Sequence, residues 1–419
     1  MMQAVAVWNW LMEHLLWINL VLSVMIVFFQ RRDPKAVWTW LLILYFVPVF
    51  GFFFYLVFAQ DYRKSRMFRV KEVEDRLSFS ARWQERLLKN DVLYLEDPLA
   101  ADYGDLVCYN LEQAGSVLTL ENQVQIFTDG EEKFGDLRRE LAEAKHFIHI
   151  QYYIIKDDEL FDSIIPILKD RACHGVEIRI LYDGMGGRFM PRSRWREVRG
   201  AGIRTACFFP PFLGRLNLRV NYRNHRKIVV IDGRVGYVGG FNIGREYLGK
   251  NPHFGYWRDT HLKITGDAAI SLQIRFALDW NYAGKENLFL NGWYFTDCTR
   301  LGSSGMPGPE GKGVPEEEVI SDSGRENIIC QGDAGAEKQK EDILEKRILG
   351  KLVGIQIIAS GPDSGRRQIR DNYLQLFHKA RHHIYIQTPY FVPDDAVLSA
   401  LKIAAGSGID VRLMIPCKP

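Results

Sequence analysis

The hydrophobic pattern changes character along the chain. From Val37 to Phe58, VWTWLLILYFVPVFGFFFYLVF runs 22 residues without a charge. At about 1.5 Å per residue that is long enough to cross a hydrocarbon layer of roughly 30 Å. Pro48 and Gly51 sit inside the run, which membrane helices tolerate better than soluble ones. An earlier run, about Val7 to Phe29, carries Asn9, Glu13 and His14, but its second half is apolar enough to predict another span. No Lys or Arg precedes it and no small-residue cleavage site follows, so a cleaved signal peptide fits poorly. Residues 1–60 are therefore expected to form two transmembrane helices, and 61–120 a basic connecting region.

Past about residue 120 the period alternates between 3.6 and 2. FGDLRRELAEAKH (134–146) has helical spacing with i,i+4 charge pairs, and FIHIQYYII (147–155) reads as a strand. ELFDSIIPILKDRACHG follows as a helix closed by Gly175, and VEIRILYDGMGG as a strand entering a glycine-rich loop. A short helix near Arg194 to Arg199 and a strand, IRTACFF, come next. This order predicts an α/β fold with a mixed, largely parallel sheet flanked by helices. Residues 301–345, rich in Gly, Pro, Ser and acids, read as a flexible insert between a first half (121–300) and a second (346–419).

The two halves are related. HFIHIQYYIIKDD (146–158) returns as HHIYIQTPYFVPDD (382–395), with Ile150-Gln151 matching Ile386-Gln387. HGVEIRILYDG (174–184) returns as SGIDVRLMIPC (407–417), with Gly175 and Arg179 matching Gly408 and Arg412. The chain thus carries an internal duplication.

Charge is nearly balanced, 54 basic against 51 acidic residues, which points to no polyanionic partner. Six scattered cysteines lack metal-ligand spacing and suit a reducing compartment. Arg31, Arg32 and Lys35 follow the first apolar run; Arg63, Lys64, Arg66, Arg69 and Lys71 follow the second. That excess predicts a multi-pass protein of the cell membrane with its larger part cytoplasmic. The same basic cluster reads equally as a site for anionic lipid or as a solvated helix end.

One stretch carries chemistry: NHRKIVVIDGRVGYVGGFN, residues 224–242. On a strand, His225 and Lys227 share a face, with their side chains a little under about 7 Å apart, while Arg226 points away. An imidazole and an ammonium held at a sheet end suit a phosphate: Lys227 brings charge and donors, His225 a nitrogen that can attack or move a proton. Asp232-Gly233 predicts a tight hairpin turn, with Asp232 off the His/Lys face. Gly239-Gly240 would let backbone approach a ligand, and Asn242 would bring an amide donor to the same rim.

The pattern H225-x-K227-x4-D232-x6-G239-G240-x-N242 resembles the signature of the phospholipase D superfamily. The chain is more similar still to bacterial cardiolipin synthases through RRDPKAVWTWLLILYFVPVFGFFFYLVF, NYRNHRKIVVIDG, YWRDTHLKITGDAA, IIASGPD and IQTPYFVPDD. The resemblance implies a duplicated fold with one such motif per half. One His attacks phosphorus to give a phosphohistidine, and the other protonates the departing alcohol. It implies two phosphatidylglycerols as substrates, cardiolipin and glycerol as products, anionic membrane lipid as partner, no nucleic acid, and no metal or other cofactor. Lys227 and Asn242 would stabilise the phosphoryl oxygens, and Asp232 belongs to the signature. Asp259 would orient the nucleophilic His, and Arg223, with Arg215 and Arg219, could bind the headgroup. In the first copy the motif starts 50 residues after Gly175, whereas 11 residues follow Gly408, so the second half is expected to be incomplete and its motif to lie beyond residue 419. Two alternatives stay open: a phospholipase D-type hydrolase in which water is the acceptor, and an inactive homologue.

Overall fold

The computed structural model describes residues 34–47, 102–210, 223–295, 352–361 and 366–416, together with isolated helical residues between 10 and 24. Two compact units divide them, one at the N-terminus and one comprising everything from residue 102 onward. In the first, α1 (Pro34–Phe46) takes up the opening of the long apolar run, and Asn19 Nδ2 donates to the Leu44 carbonyl at 3.2 Å. Residues 48–58 of that run lie outside the described residues, as does most of 7–29. Among the described residues no helix is long and apolar enough to cross a membrane.

The second unit opens with α2 (Gly104–Ala114), inside the stretch expected only to connect. Then come β1 (Thr119–Phe127), α3 (Gly130–Glu143), β2 (Phe147–Tyr152), α4 (Glu159–Cys173), β3 (Glu177–Asp183), α5 (Arg192–Gly200) and β4 (Arg204–Phe208). The chain continues through β5 (Ile228–Ile231), β6 (Val235–Gly239), β7 (His261–Gly266), α6 (Ala268–Gly284) and β8 (Val353–Ile355). It ends in α7 (Gln368–Lys379), β9 (His383–Gln387), α8 (Asp395–Gly406) and β10 (Asp410–Met414). Asp129, Asp158 and Asp394 cap α3, α4 and α8 by accepting backbone N–H groups of the first turn.

Eight strands form one sheet in the order β4-β3-β2-β5-β6-β7-β1-β8. Only β2–β3 and β3–β4 are parallel within it; β2–β5, β5–β6, β6–β7, β7–β1 and β1–β8 are antiparallel. The sheet is mixed as expected but largely antiparallel: β5 and β6 are joined by a tight turn that only an antiparallel pair can use, and the strands beyond continue that alternation. Period-two burial sorts the core into two layers. Ile148, Ile150, Val229, Ile231, Val235 and Tyr237 pack with α3 and α4. Phe147, Ile228, Val230 and Ile264 pack with α6. The strand expected over 147–155 stops at Tyr152, and Ile155 instead bridges Ile243.

The duplication holds residue by residue. β2 and β3 set Phe147 opposite Glu177 and Gln151 opposite Leu181; β9 and β10 set His383 opposite Asp410 and Gln387 opposite Met414. Gly175 and Gly408 end the preceding helices with φ of +84° and +88°. Nothing stands within 4 Å of a Cβ built on either glycine, so only the left-handed backbone demands them. Gly175→Ala and Gly408→Ala are each expected to lower unfolding free energy by about 1 kcal/mol in denaturant titrations. Losses of matched size are the outcome that equivalence of the two turns requires.

Candidate active site

The motif is held from the α6 side. Residues 223–227 approach β5 without yet being part of it, and their side chains alternate. Asn224 and Arg226 turn toward α6, where one oxygen of the buried Asp279 carboxylate accepts from Asn224 Nδ2 at 2.9 Å and Arg226 Nη1 at 2.6 Å. Gln151 Nε2 reaches the same oxygen at 2.7 Å and also Asn224 Oδ1 at 2.9 Å. The backbone N–H of Asn224 donates to Asp183 Oδ2 at 3.0 Å. Hydrogen bonds to charged groups contribute roughly 1.5–3 kcal/mol each, so this segment is stiff. The sequence reading had not assigned Gln151, Asn224 or Asp279 to the site. Its signal was the repeat of Gln151 as Gln387.

His225 and Lys227 take the opposite parity and meet on the α3 side. The Lys227 Nζ lies 3.0 Å from His225 Nδ1, 3.2 Å from its Nε2, and donates to the His225 carbonyl at 2.8 Å. The pair is thus in contact rather than nearly 7 Å apart, because the lysine chain folds back along a segment outside the regular ladder. Tyr153 packs against the imidazole with ring centroids 4.7 Å apart. Lys227 is buried and His225 is exposed at the sheet end. Partial desolvation, then the neighbouring amine, pushes the His225 pKa down to about 4, which leaves the ring neutral at pH 7. Burial brings Lys227 down to about 7, with the Asp259 charge pulling the other way.

The other expected residues divide. Asp259 is half-buried near Lys227, and its Oδ1 accepts from the Thr260 N–H at 2.7 Å. No hydrogen bond joins it to His225 among the described residues, so it acts here on the lysine by charge rather than orienting the imidazole. Asn242 is buried, accepting from the Ile154 N–H at 3.0 Å and donating to Tyr247 Oη at 2.7 Å. It fastens the loop carrying Tyr153 beside the site. The glycine pair admits protein rather than ligand: a Cβ on Gly240 would stand 1.9 Å from Asp259 Oδ1, and one on Gly239 2.4 Å from His261 Cα. Arg223 is turned inward, its Nη1 3.7 Å from Asp183 Oδ1, with its side chain 11% exposed. Arg215 and Arg219 lie outside the described residues.

Asp232, a signature residue expected at the hairpin turn and off the His/Lys face, lies there. It sits beyond the other end of β5, about 23 Å of extended chain from His225 at the motif's start. Its carboxylate accepts the backbone N–H groups of Lys145, His146 and Phe147 at 2.8–2.9 Å. With φ of +53° it forms the hairpin turn with Gly233, at +69°. It is a clamp between the β5–β6 turn and the start of β2, not a catalytic group. Asp232→Ala should therefore lower stability by about 2 kcal/mol, read by chemical denaturation, since the buried Phe147 N–H and two half-buried N–H groups lose their acceptor. Turnover per folded molecule should stay near wild type.

Comparison with known proteins agrees with this geometry. The family profile described as cardiolipin synthase, PLD-like domain, matches residues 137–257 and 373–418, and one described as phospholipase D-nuclease N-terminal matches 16–60. The cardiolipin synthase of Staphylococcus aureus strain Mu50 is 39% identical over 404 residues, spanning 96% of this chain and 72% of that protein. The major cardiolipin synthase ClsA of Bacillus subtilis strain 168 is 40% identical over 410 residues, spanning 96% and 74%. That of Listeria innocua serovar 6a is 38% identical over 412 residues, spanning 98% and 75%. With the paired His225 and Lys227 at the sheet end, these similarities place the chain among the cardiolipin synthases of the phospholipase D superfamily.

Proposed function

We propose that the protein is a phosphatidyltransferase that makes cardiolipin and glycerol from two phosphatidylglycerols, with His225 as nucleophile. The observation that carries this reading is the contact between a neutral imidazole and the buried Lys227 amine. A phosphodiester anion repels nucleophiles, so the attacking group must be uncharged and a fixed cation must neutralise the phosphoryl oxygens. His225 attacks phosphorus, the N–P bond forms, and the P–O bond to glycerol breaks. The departing oxygen takes a proton from a general acid, which the superfamily resemblance assigns to a second histidine motif. The 419 residues contain one H-x-K-x4-D pattern, so His225 accounts for the nucleophile alone. A hydroxyl of the second phosphatidylglycerol then attacks phosphorus, breaks the N–P bond and restores the imidazole.

The membrane reading extends this. The apolar runs at 7–29 and 37–58 are proposed to hold the enzyme at its lipid substrate in the cell membrane, with the larger unit cytoplasmic. Support comes from the N-terminal match at 16–60 and from α1, whose Trp38, Leu42, Tyr45 and Phe46 are all more than half exposed.

Supplied with phosphatidylglycerol, the full chain should yield cardiolipin and glycerol in equal amounts. Phosphatidic acid as the main product would favour the hydrolase instead. His225→Ala should lower turnover by about four orders of magnitude or more, and full activity in that variant would contradict the assignment. The pH profile has a fixed sign. His225 must be unprotonated to attack, so kcat/KM falls as pH drops through about 4. Lys227 must be protonated to neutralise phosphate, so kcat/KM falls again as pH rises through about 7. Bound phosphate stabilises the ammonium, which places the alkaline limb of kcat above that of kcat/KM.

A further inference from the structure

Lys227 has a neighbour that the proposed chemistry does not yet use. β5 and β6 pair Ile228 with Val238, and β6 and β7 pair Gly239 with His261. Carried one residue before Ile228, the register sets Lys227, Gly239 and His261 in one cross-strand row, with side chains on one face. That is the face where Tyr152, Val229, Val235 and Tyr237 are buried. Gly239 contributes no side chain, and the His261 imidazole lies against the bare backbone: a Cβ on Gly239 would stand 2.6 Å from His261 Cγ. The lysine and the imidazole therefore flank a gap one residue wide.

His261 is fully buried, yet neither Nδ1 nor Nε2 has a hydrogen-bond partner. Phe241 stacks along the ring with centroids 6.0 Å apart, and the buried Lys133 donates instead to Tyr152 Oη at 2.8 Å. A phenylalanine would fill this place without two stranded nitrogens, so the imidazole is understandable only if some state of the site uses one of them. Burial first, then the Lys133 and Lys227 amines, hold the ring in its neutral form, which keeps one nitrogen available as an acceptor. The covalent stage creates the need. A neutral imidazole has a single acceptor nitrogen, and in His225 that nitrogen forms the bond to phosphorus, which leaves Lys227 only the His225 carbonyl, at 2.8 Å, of the two acceptors that residue offers.

We infer that His261 is a positioning residue for Lys227: once His225 is bonded to phosphorus, His261 accepts a hydrogen bond from the lysine ammonium and keeps it aimed at the phosphoryl oxygens. This rests on His225 being the nucleophile, and the experiment separates the two claims. In the full chain, kcat and KM for phosphatidylglycerol and the melting temperature are measured for wild type, His225→Ala, His261→Phe and His261→Gln. The expected result is an inactive His225→Ala and a folded His261→Phe whose kcat falls at least tenfold while KM stays within twofold. His261→Gln, which keeps an acceptor, should recover most of that kcat. Wild-type kcat in His261→Phe overturns the inference, as does loss of activity in Phe and Gln variants alike together with an equal fall in melting temperature. If His261→Phe does not fold, His261→Met takes its place against His261→Gln with the same two readings. An active His225→Ala would instead sink the nucleophile assignment and leave His261 without a role.

Discussion

The buried carboxylate of Asp279 takes hydrogen bonds from Gln151, Asn224 and Arg226 on one oxygen, and the orientation of the site follows from that junction. Strand parity does the rest. With Asn224 and Arg226 committed to the α6 side, His225 and Lys227 are left facing α3, anchored by the four buried residues of β5. Burial of Lys227 and partial desolvation of His225 then set the chemistry, since each disfavours the charged form. A neutral imidazole beside an amine able to gain or lose its proton near pH 7 is the result.

Close packing behind the pair explains residues that a ligand-centred reading misplaces. Gly239 and Gly240 are bare because His261 and Asp259 occupy the space their side chains would need. Asn242 and Tyr247 hold the loop bearing Tyr153, whose ring lies against His225. These signature residues hold His225 and Lys227 from behind.

Period and repetition made much of the architecture legible: the alternating helices and strands, the hairpin at Asp232-Gly233 and the paired turns at Gly175 and Gly408 all lie where the pattern put them. Strand direction was not legible, because a buried apolar strand reads alike in parallel and antiparallel ladders. At the site, His225 and Lys227 stood out by spacing. Asp279 and His261 did not, since the groups they stand beside, Asn224 and Gly239, are distant from them in sequence. Asp232 was legible as a turn residue, because Asp-Gly follows a buried strand; it lies within the motif by sequence but at the far end of β5 in space. The relation between halves was visible in Ile150-Gln151 and Ile386-Gln387. The fold gives Gln387 a different partner, Arg258, at 2.5 Å.

The account stands or falls on which atom first bonds to phosphorus. The most direct measurement mixes the full chain with phosphatidylglycerol labelled in its phosphate, quenches within one turnover, and maps the label by peptide mass spectrometry. A phosphatidyl group on a His225 ring nitrogen, stable in base and lost in acid, is the predicted result. A label on another side chain, or cardiolipin formed with no covalent intermediate at any quench time, would contradict it.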